Sequence, residues 1–334
     1  MSVNKPVWKL RYWIDETKLD LYRLGLNSNA VDLLKRVLYK DEMIMKKMCL
    51  NSNPFIIEQL LEHEDLIDYK SICYNPNISI NEIYKRKFDK ISFNSMMLFI
   101  NDINILNKYK NKINWVCLSL NPNSHVIDFI EKNLENINWS YLCINNSPEV
   151  IKIIEKYPQL IDWDCLSLNS NAIHILTKKE NINKLNLNRF SLNSSSIPFL
   201  SKPENIHLIR WTYIYSNPNI TINIIEIGKT HSHIYPINWR DISLHCSNIN
   251  VLRTYKDKLN WCLLCKNEYA IDLLYENQDK IDYYNISSNP SIFELDYEAM
   301  KKNNKEIEME LLQEVLKPSR VFKNGGMSYL QELF

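Results

Sequence analysis

Two cysteines three residues apart, Cys262 and Cys265 in "CLLC", form the spacing in this chain that most directly suggests chemistry. It suits half of a zinc site or a thiol–disulfide pair. A structural zinc takes four ligands, and no second C-x-x-C completes the set. The other metal-type constellation is His231 and His233 in "THSHIYP", with His245 and Cys246 beyond. Its spacing does not follow the usual ligand patterns, and a polar loop explains the histidines as well. "GKT" at Gly228, Lys229 and Thr230 resembles the end of a phosphate-binding loop. Such a loop needs a glycine five residues earlier so that backbone can curl around phosphates, and Asn223 stands there. Neither G-x-S-x-G nor H-E-x-x-H occurs. The chain therefore reads as non-enzymatic, with no catalytic residue, cofactor or metal site. Cys262, Cys265, His231 and His233 are the candidates to check for a metal.

The elements that must carry these residues are written in a repeat. "INWSYLCINNSP" at 137–148 is echoed by "IDWDCLSLNSNA" at 161–172. With the aromatic of "I-D/N-W" as position zero, anchors fall at Leu21, Met45, Tyr69, Phe93, Trp115, Trp139, Trp163, Leu187, Trp211, Trp239, Trp261 and Tyr283. The steps are mostly 24 residues, with a few of 22 and a single 28. Position +3 is always apolar, as in Leu118, Leu142 and Leu166. Position −1 is Asp or Asn in nine of twelve units, and position +6 is Asn in ten, including Asn121, Asn145, Asn169, Asn217 and Asn289.

These columns predict two short helices per unit. Asp or Asn at −1 is an N-cap whose side-chain oxygen accepts from an unpaired first-turn N–H. The Asn column ends the first helix, and Pro at the next position in "NPN" units fits the start of a second. Helices this short do not persist alone, because nucleation is costly and the apolar face would be wet. Stacking on neighbours buries that face. The expected fold is all-α: an α-solenoid of about twelve two-helix repeats, with the Asn column tying one turn to the next. The domain reading is an N-terminal cap over 1–18, the array over 19–294, and a C-terminal capping helix and tail over 295–334. Trp115, Trp139, Trp163, Trp211, Trp239 and Trp261 are expected to pack between repeats. Two units depart from the pattern. The one around Phe93 lacks Asn in register, and the one from Trp211 to Trp239 is four residues longer, which predicts a protruding loop near 228–236. The column also explains the cysteines as small buried side chains, and it places His245 where Asn usually stands.

Composition narrows the partners. Forty basic residues face thirty-nine acidic ones, for a net charge of +1. Sequence-blind nucleic-acid binding needs a surplus of Lys and Arg to displace counterions from phosphates, so the neutral balance disfavours it. The Trp column could serve as a stacking platform for bases, and "YKRK" at 84–87 and Lys178–Lys179 are local basic spots. No stretch has the uninterrupted apolar length of a membrane span or a signal peptide. Eight scattered cysteines favour a reducing, intracellular compartment.

The pattern "I-D/N-W-x-x-L-S-x-N-P-N" followed by an apolar helix resembles a repeat found in large paralogous protein sets of giant DNA viruses of the mimivirus kind. "SSNPSIFELDYEAMKK" and "LKPSRV" are similar to the ending of those proteins, so the resemblance spans roughly 19–320. It implies a virus-encoded helical repeat protein and brings no catalytic residues. The expected function is a scaffold that binds another protein. The alternatives are a virion or virus-factory structural protein and an RNA-binding solenoid. The positions free to vary are those just after the anchor, such as Ser140, Asp164 and Arg240, and the stretches 132–136 and 228–236.

Overall fold

A computed structural model describes residues 6–36, 42–54, 56, 60, 67–72, 75, 96–230 and 234–305. The described residues are mostly short helices, with one two-stranded sheet among them. The chain divides into two compact units. One combines Met1–Ile14 with Ile292–Phe334, and the other is Asp15–Ser291.

The larger unit carries the repeat. Its first helices run four to eight residues, as in Trp139–Ile144, Trp163–Leu166 and Leu187–Leu192. Most start where the sequence supplies a cap. Asn138 Oδ1 accepts from the Tyr141 N–H at 3.2 Å, Asp162 Oδ1 from Cys165 at 3.0 Å, and Asn260 Oδ1 from Leu263 at 3.0 Å. Arg210 stands at one cap position and makes no side-chain cap bond. Leu118, Leu142 and Leu166, one turn into their helices, are fully buried. The second helices, such as Pro148–Lys156 with Pro at its first position, bury an apolar face of Val150, Ile151, Ile153 and Ile154. Proline costs little there because its missing N–H would have had no helical partner.

The smaller unit holds β1 (Trp8–Leu10) and β2 (Phe293–Leu295), paired antiparallel with Lys9 opposite Glu294. Glu294 also takes Arg11 at 3.2 Å, and the Asp296 N–H donates to the Val7 carbonyl at 2.8 Å. One strand of this sheet lies in the expected N-terminal cap, 1–18, and the other where the expected array, 19–294, meets the C-terminal segment, 295–334. The tail helices predicted beyond residue 305 and the anchor Phe93 lie outside the described residues.

Candidate functional site

The side chains with the most polar capacity in the larger unit are the buried asparagines, and their geometry is nearly constant. Asn27, Asn51, Asn75, Asn121, Asn145, Asn169, Asn193, Asn217, Asn267 and Asn289 are at most 4% exposed. Asn169 Nδ2 donates to the carbonyls of Cys143 and Asn145, both at 2.9 Å, and its Oδ1 accepts from the Asn171 N–H at 3.0 Å. Asn145 does the same with Ser119 and Asn121, and Asn193 with Ser167 and Asn169. Both donors and the acceptor of each amide are used, so burial leaves none of them unpaired.

A second linking column sits at +4. Ser167 Oγ donates to the Trp163 carbonyl at 2.6 Å and accepts from the Asn186 N–H of the next unit at 3.0 Å. Ser119 and Ser243 form the same pair of bonds. Cys265 occupies the equivalent position, and its sulfur accepts the Asp282 N–H at 3.3 Å. The buried cysteine is therefore a linking group rather than a merely apolar one. The sequence signal was available: serine or cysteine stands at this offset in nine of twelve units, with Gly25, Met97 and Tyr215 the exceptions, and the two share small size with a polar γ atom.

The links do not stop at the last unit. Asn27, in the first unit, donates to the carbonyls of Ser287 and Asn289 at 3.0 and 2.8 Å. The Asp20 N–H donates to Ser287 Oγ at 2.8 Å, and Asn29 Nδ2 to the Pro290 carbonyl at 3.0 Å. These are the same four bonds, in the same register, that join neighbouring units elsewhere; Asn219 to Ser194 at 2.8 Å is the counterpart of the last. The first unit thus follows the last as any unit follows its predecessor.

Where Asn is absent from +6, the register shifts by one. Asn267 reaches Ser243 and Cys246, and Asn121 reaches Met97 and Ile100, so the second acceptor lies at +7. His245, which stands at +6 where Asn is usual, is exposed, and the Cys246 carbonyl takes the place of the +6 carbonyl as an acceptor for Asn267. Ser247 supplies the link back to the preceding unit, its N–H and Oγ both donating to the Pro218 carbonyl.

Comparison of the chain with known protein families, curated proteins and solved structures finds no match.

The candidate chemical residues are dispersed or already engaged. Cys262 is exposed, unlike a packed column residue, whereas Cys265 is buried and burial pushes its thiol up to about 11. A thiol held that firmly protonated is a poor metal ligand and a poor nucleophile near neutral pH. His231 and His233 lie outside the described residues. Gly228, Lys229 and Thr230 end the helix Ile222–Thr230 rather than forming a loop. A Cβ on Gly228 would meet the Tyr215 hydroxyl at 2.6 Å and the Trp211 ring at 3.1 Å, so glycine admits two aromatics there. Beyond it, Ile234 and Tyr235 are exposed.

Among the described residues one group of metal-type side chains converges, Asp162, Asp164 and Cys165, with ligand atoms within 4.8 Å of one another. Its members have other partners. Asp162 caps its helix and accepts from Ser140, and Asp164 pairs with Arg189 at 3.1 Å. Burial raises the Asp162 carboxyl, but the hydrogen bonds from Ser140 and Cys165 outweigh it and the net shift is downward.

Of the anchors, Trp211 is buried, whereas Trp115, Trp139, Trp163, Trp239 and Trp261 are half-buried. Trp115 stacks on Phe129 at 6.0 Å, Trp239 meets Tyr255 at 5.1 Å, and Lys184 and Lys280 lie over Trp163 and Trp261. Their rings pack against the second helix or return segment of their own units, which leaves less ring face for a base to stack on. No helix among the described residues is long and apolar enough to cross a membrane.

Proposed function

We propose that this protein is a non-enzymatic scaffold for protein–protein interaction: a closed α-solenoid of twelve two-helix repeats. The observation that carries this reading is the fate of the recurrent polar groups. The described column Asn, +4 Ser and Asp/Asn caps make backbone bonds within or between units. What remains for a partner is the set of side chains that differ from unit to unit, displayed on a constant frame. Solenoids use such variable surfaces for recognition. The comparison rests on architecture and not on a catalytic geometry. The resemblance of the repeat to those of giant DNA viruses supports a viral origin.

The test is affinity capture of the tagged full-length chain from virus-infected cells, with and without nuclease. Captured proteins are then purified and rebound by light scattering. A protein partner that survives nuclease and rebinds in a defined ratio supports the scaffold. Recovery that vanishes with nuclease overturns it in favour of nucleic-acid binding. Capture of nothing but the protein itself, as a defined oligomer, overturns it in favour of a self-assembling structural role.

A further inference from the structure

The join between the last and first units creates a surface that no sequence window contains. On each first helix, positions +1, +2 and +5 lie on one face, since residues three and four apart are neighbours on a helix. That face points away from the buried +3, +4 and +6 columns. In the last unit it carries Tyr284, and in the first two units it carries Tyr22, Arg23, Leu26, Lys46, Lys47 and Leu50. Arg23 crosses the join: its guanidinium lies 4.4 Å from the Tyr284 ring centre and donates to the Tyr284 hydroxyl at 2.8 Å. Lys47 repeats the arrangement one unit on, 5.0 Å over Tyr22. The result is a ladder in which cations and tyrosines alternate across three consecutive units.

Two features of this patch decide what it fits. Its charge has one sign: at +1, +2 and +5 of these three units stand Arg23, Lys46 and Lys47 and no Asp or Glu, in a chain whose net charge is +1. Lys46 does pair with Glu42, at 3.1 Å, one turn earlier on its own helix, and the Asp68 carboxylate of the next unit also acts on its charge. Between the cations, Leu26 and Leu50 stand 37% and 39% exposed, and Tyr284 is 51% exposed. Exposed aliphatic side chains interleaved with cations suit an acidic peptide that also carries apolar side chains. They suit a nucleic acid less, because a cation already covers one face of each tyrosine ring that a base would use.

We propose that this first-helix face, spanning the join, docks an acidic segment of the partner protein through carboxylates on Arg23, Lys46 and Lys47 and apolar side chains on Leu26 and Leu50. The assignment rests on the scaffold reading and names its face and the partner's chemistry. Arg and Tyr anchor interfaces well because they offer large contact area with a polar end. Opposite charge also raises the encounter rate, at the cost of sensitivity to salt.

The test uses the full chain with Lys46→Glu/Lys47→Glu, and with Arg240→Glu as a control at +1 of a distant unit. Circular dichroism establishes that both variants fold. The first probe is a labelled synthetic peptide of repeated Glu-Glu-Leu, measured by anisotropy at low and high salt against a Lys-Lys-Leu counterpart and single-stranded oligo-dT. The expected result is salt-sensitive binding of the acidic peptide alone, weakened about tenfold by the double reversal and little by Arg240→Glu. Equal weakening by both variants, absence of acidic-peptide binding, or oligo-dT binding with the same sensitivity would each overturn the assignment. The second readout is the captured partner itself. A partner retained undiminished by the double-reversal variant overturns this face while leaving the scaffold reading intact. Failure to capture any partner removes the scaffold reading itself.

Discussion

Replacing one column asparagine inside the array and one at the join tests the closure directly. Asn169→Ala removes two donated bonds, to Cys143 and Asn145, and the acceptor for the Asn171 N–H. At about 1 kcal/mol net per bond the loss is about 3 kcal/mol. Asn27→Ala removes an equivalent set: donors to Ser287 and Asn289, and the acceptor for Asn29. In a closed array the two substitutions should cost the same within about 0.5 kcal/mol, since neither site is an end. In an open array Asn27 would belong to a terminal unit and keep only its local bond to Asn29. Its loss would then be about 1 kcal/mol, and the two variants would differ by about 2 kcal/mol. Urea unfolding of both variants and the wild type, with midpoints compared at common slope, resolves a difference of that size. Asn27→Ala at about 1 kcal/mol beside Asn169→Ala at about 3 kcal/mol would refute the closure.

Ser167→Ala strands the Asn186 N–H, which Ser167 Oγ accepts, and should lower stability by about 1 kcal/mol; Ser167→Cys should recover part of it, because Cys265 does this work natively. A thermal melt in which alanine and cysteine behave alike would show that the γ atom matters only for its volume. The net downward shift of the Asp162 carboxyl means that its ionisation contributes stability above its unfolded pKa of about 4, lost as pH falls through the folded value. Asn caps other units, so Asp162→Asn keeps the cap and removes the charge; its penalty should be largest near neutrality and shrink toward pH 2, and a penalty independent of pH would contradict this. The Tyr215 hydroxyl is buried with no hydrogen-bond partner among the described residues, and burial pushes its pKa up to about 12. Tyr215→Phe should accordingly be neutral or stabilising by about 1 kcal/mol in chemical denaturation, and a clear loss would reveal a partner for the hydroxyl.

The columns were legible because most offsets meet the same surroundings from one described unit to the next. An Asn at +6 always faces two carbonyls of the preceding unit, so the requirement recurs and the residue recurs with it. The same logic made the caps at −1 and the leucines at +3 readable. The +4 cysteines were misjudged because hydropathy groups cysteine with apolar residues, whereas Cys265 accepts an N–H as Ser119, Ser167 and Ser243 do. The extra residue in the Trp239 helix hid behind the regular spacing. Counting from the anchor put His245 in the ladder, but the seven-residue helix carries the chain one position further before the acceptor is reached. The join was illegible in principle. Each link depends only on two adjacent units, and a local pattern of that kind is identical whether the array ends or returns to its start.

That return changes what the ends of the array require. An open stack leaves an apolar lateral face bare at each extremity, which must be sealed by a polar cap. Here the lateral face of the Tyr283 unit is met by the Leu21 unit, with Ser287 and Asn289 as acceptors for Asp20 and Asn27, so a unit of the array itself fills that role. Closure also separates two kinds of change. The longer unit between Trp211 and Trp239 comes with a changed lateral link, in which Ser247 reaches the Pro218 carbonyl where other units use the column Asn. A change in the number of units would have to be absorbed at every lateral link at once. In the closed array proposed above, substitutions on the displayed faces and return segments should therefore cost less than a change in the count. Positions such as Arg23 and Tyr284, 261 residues apart in sequence, can then stay paired across the join while the surface around them diversifies.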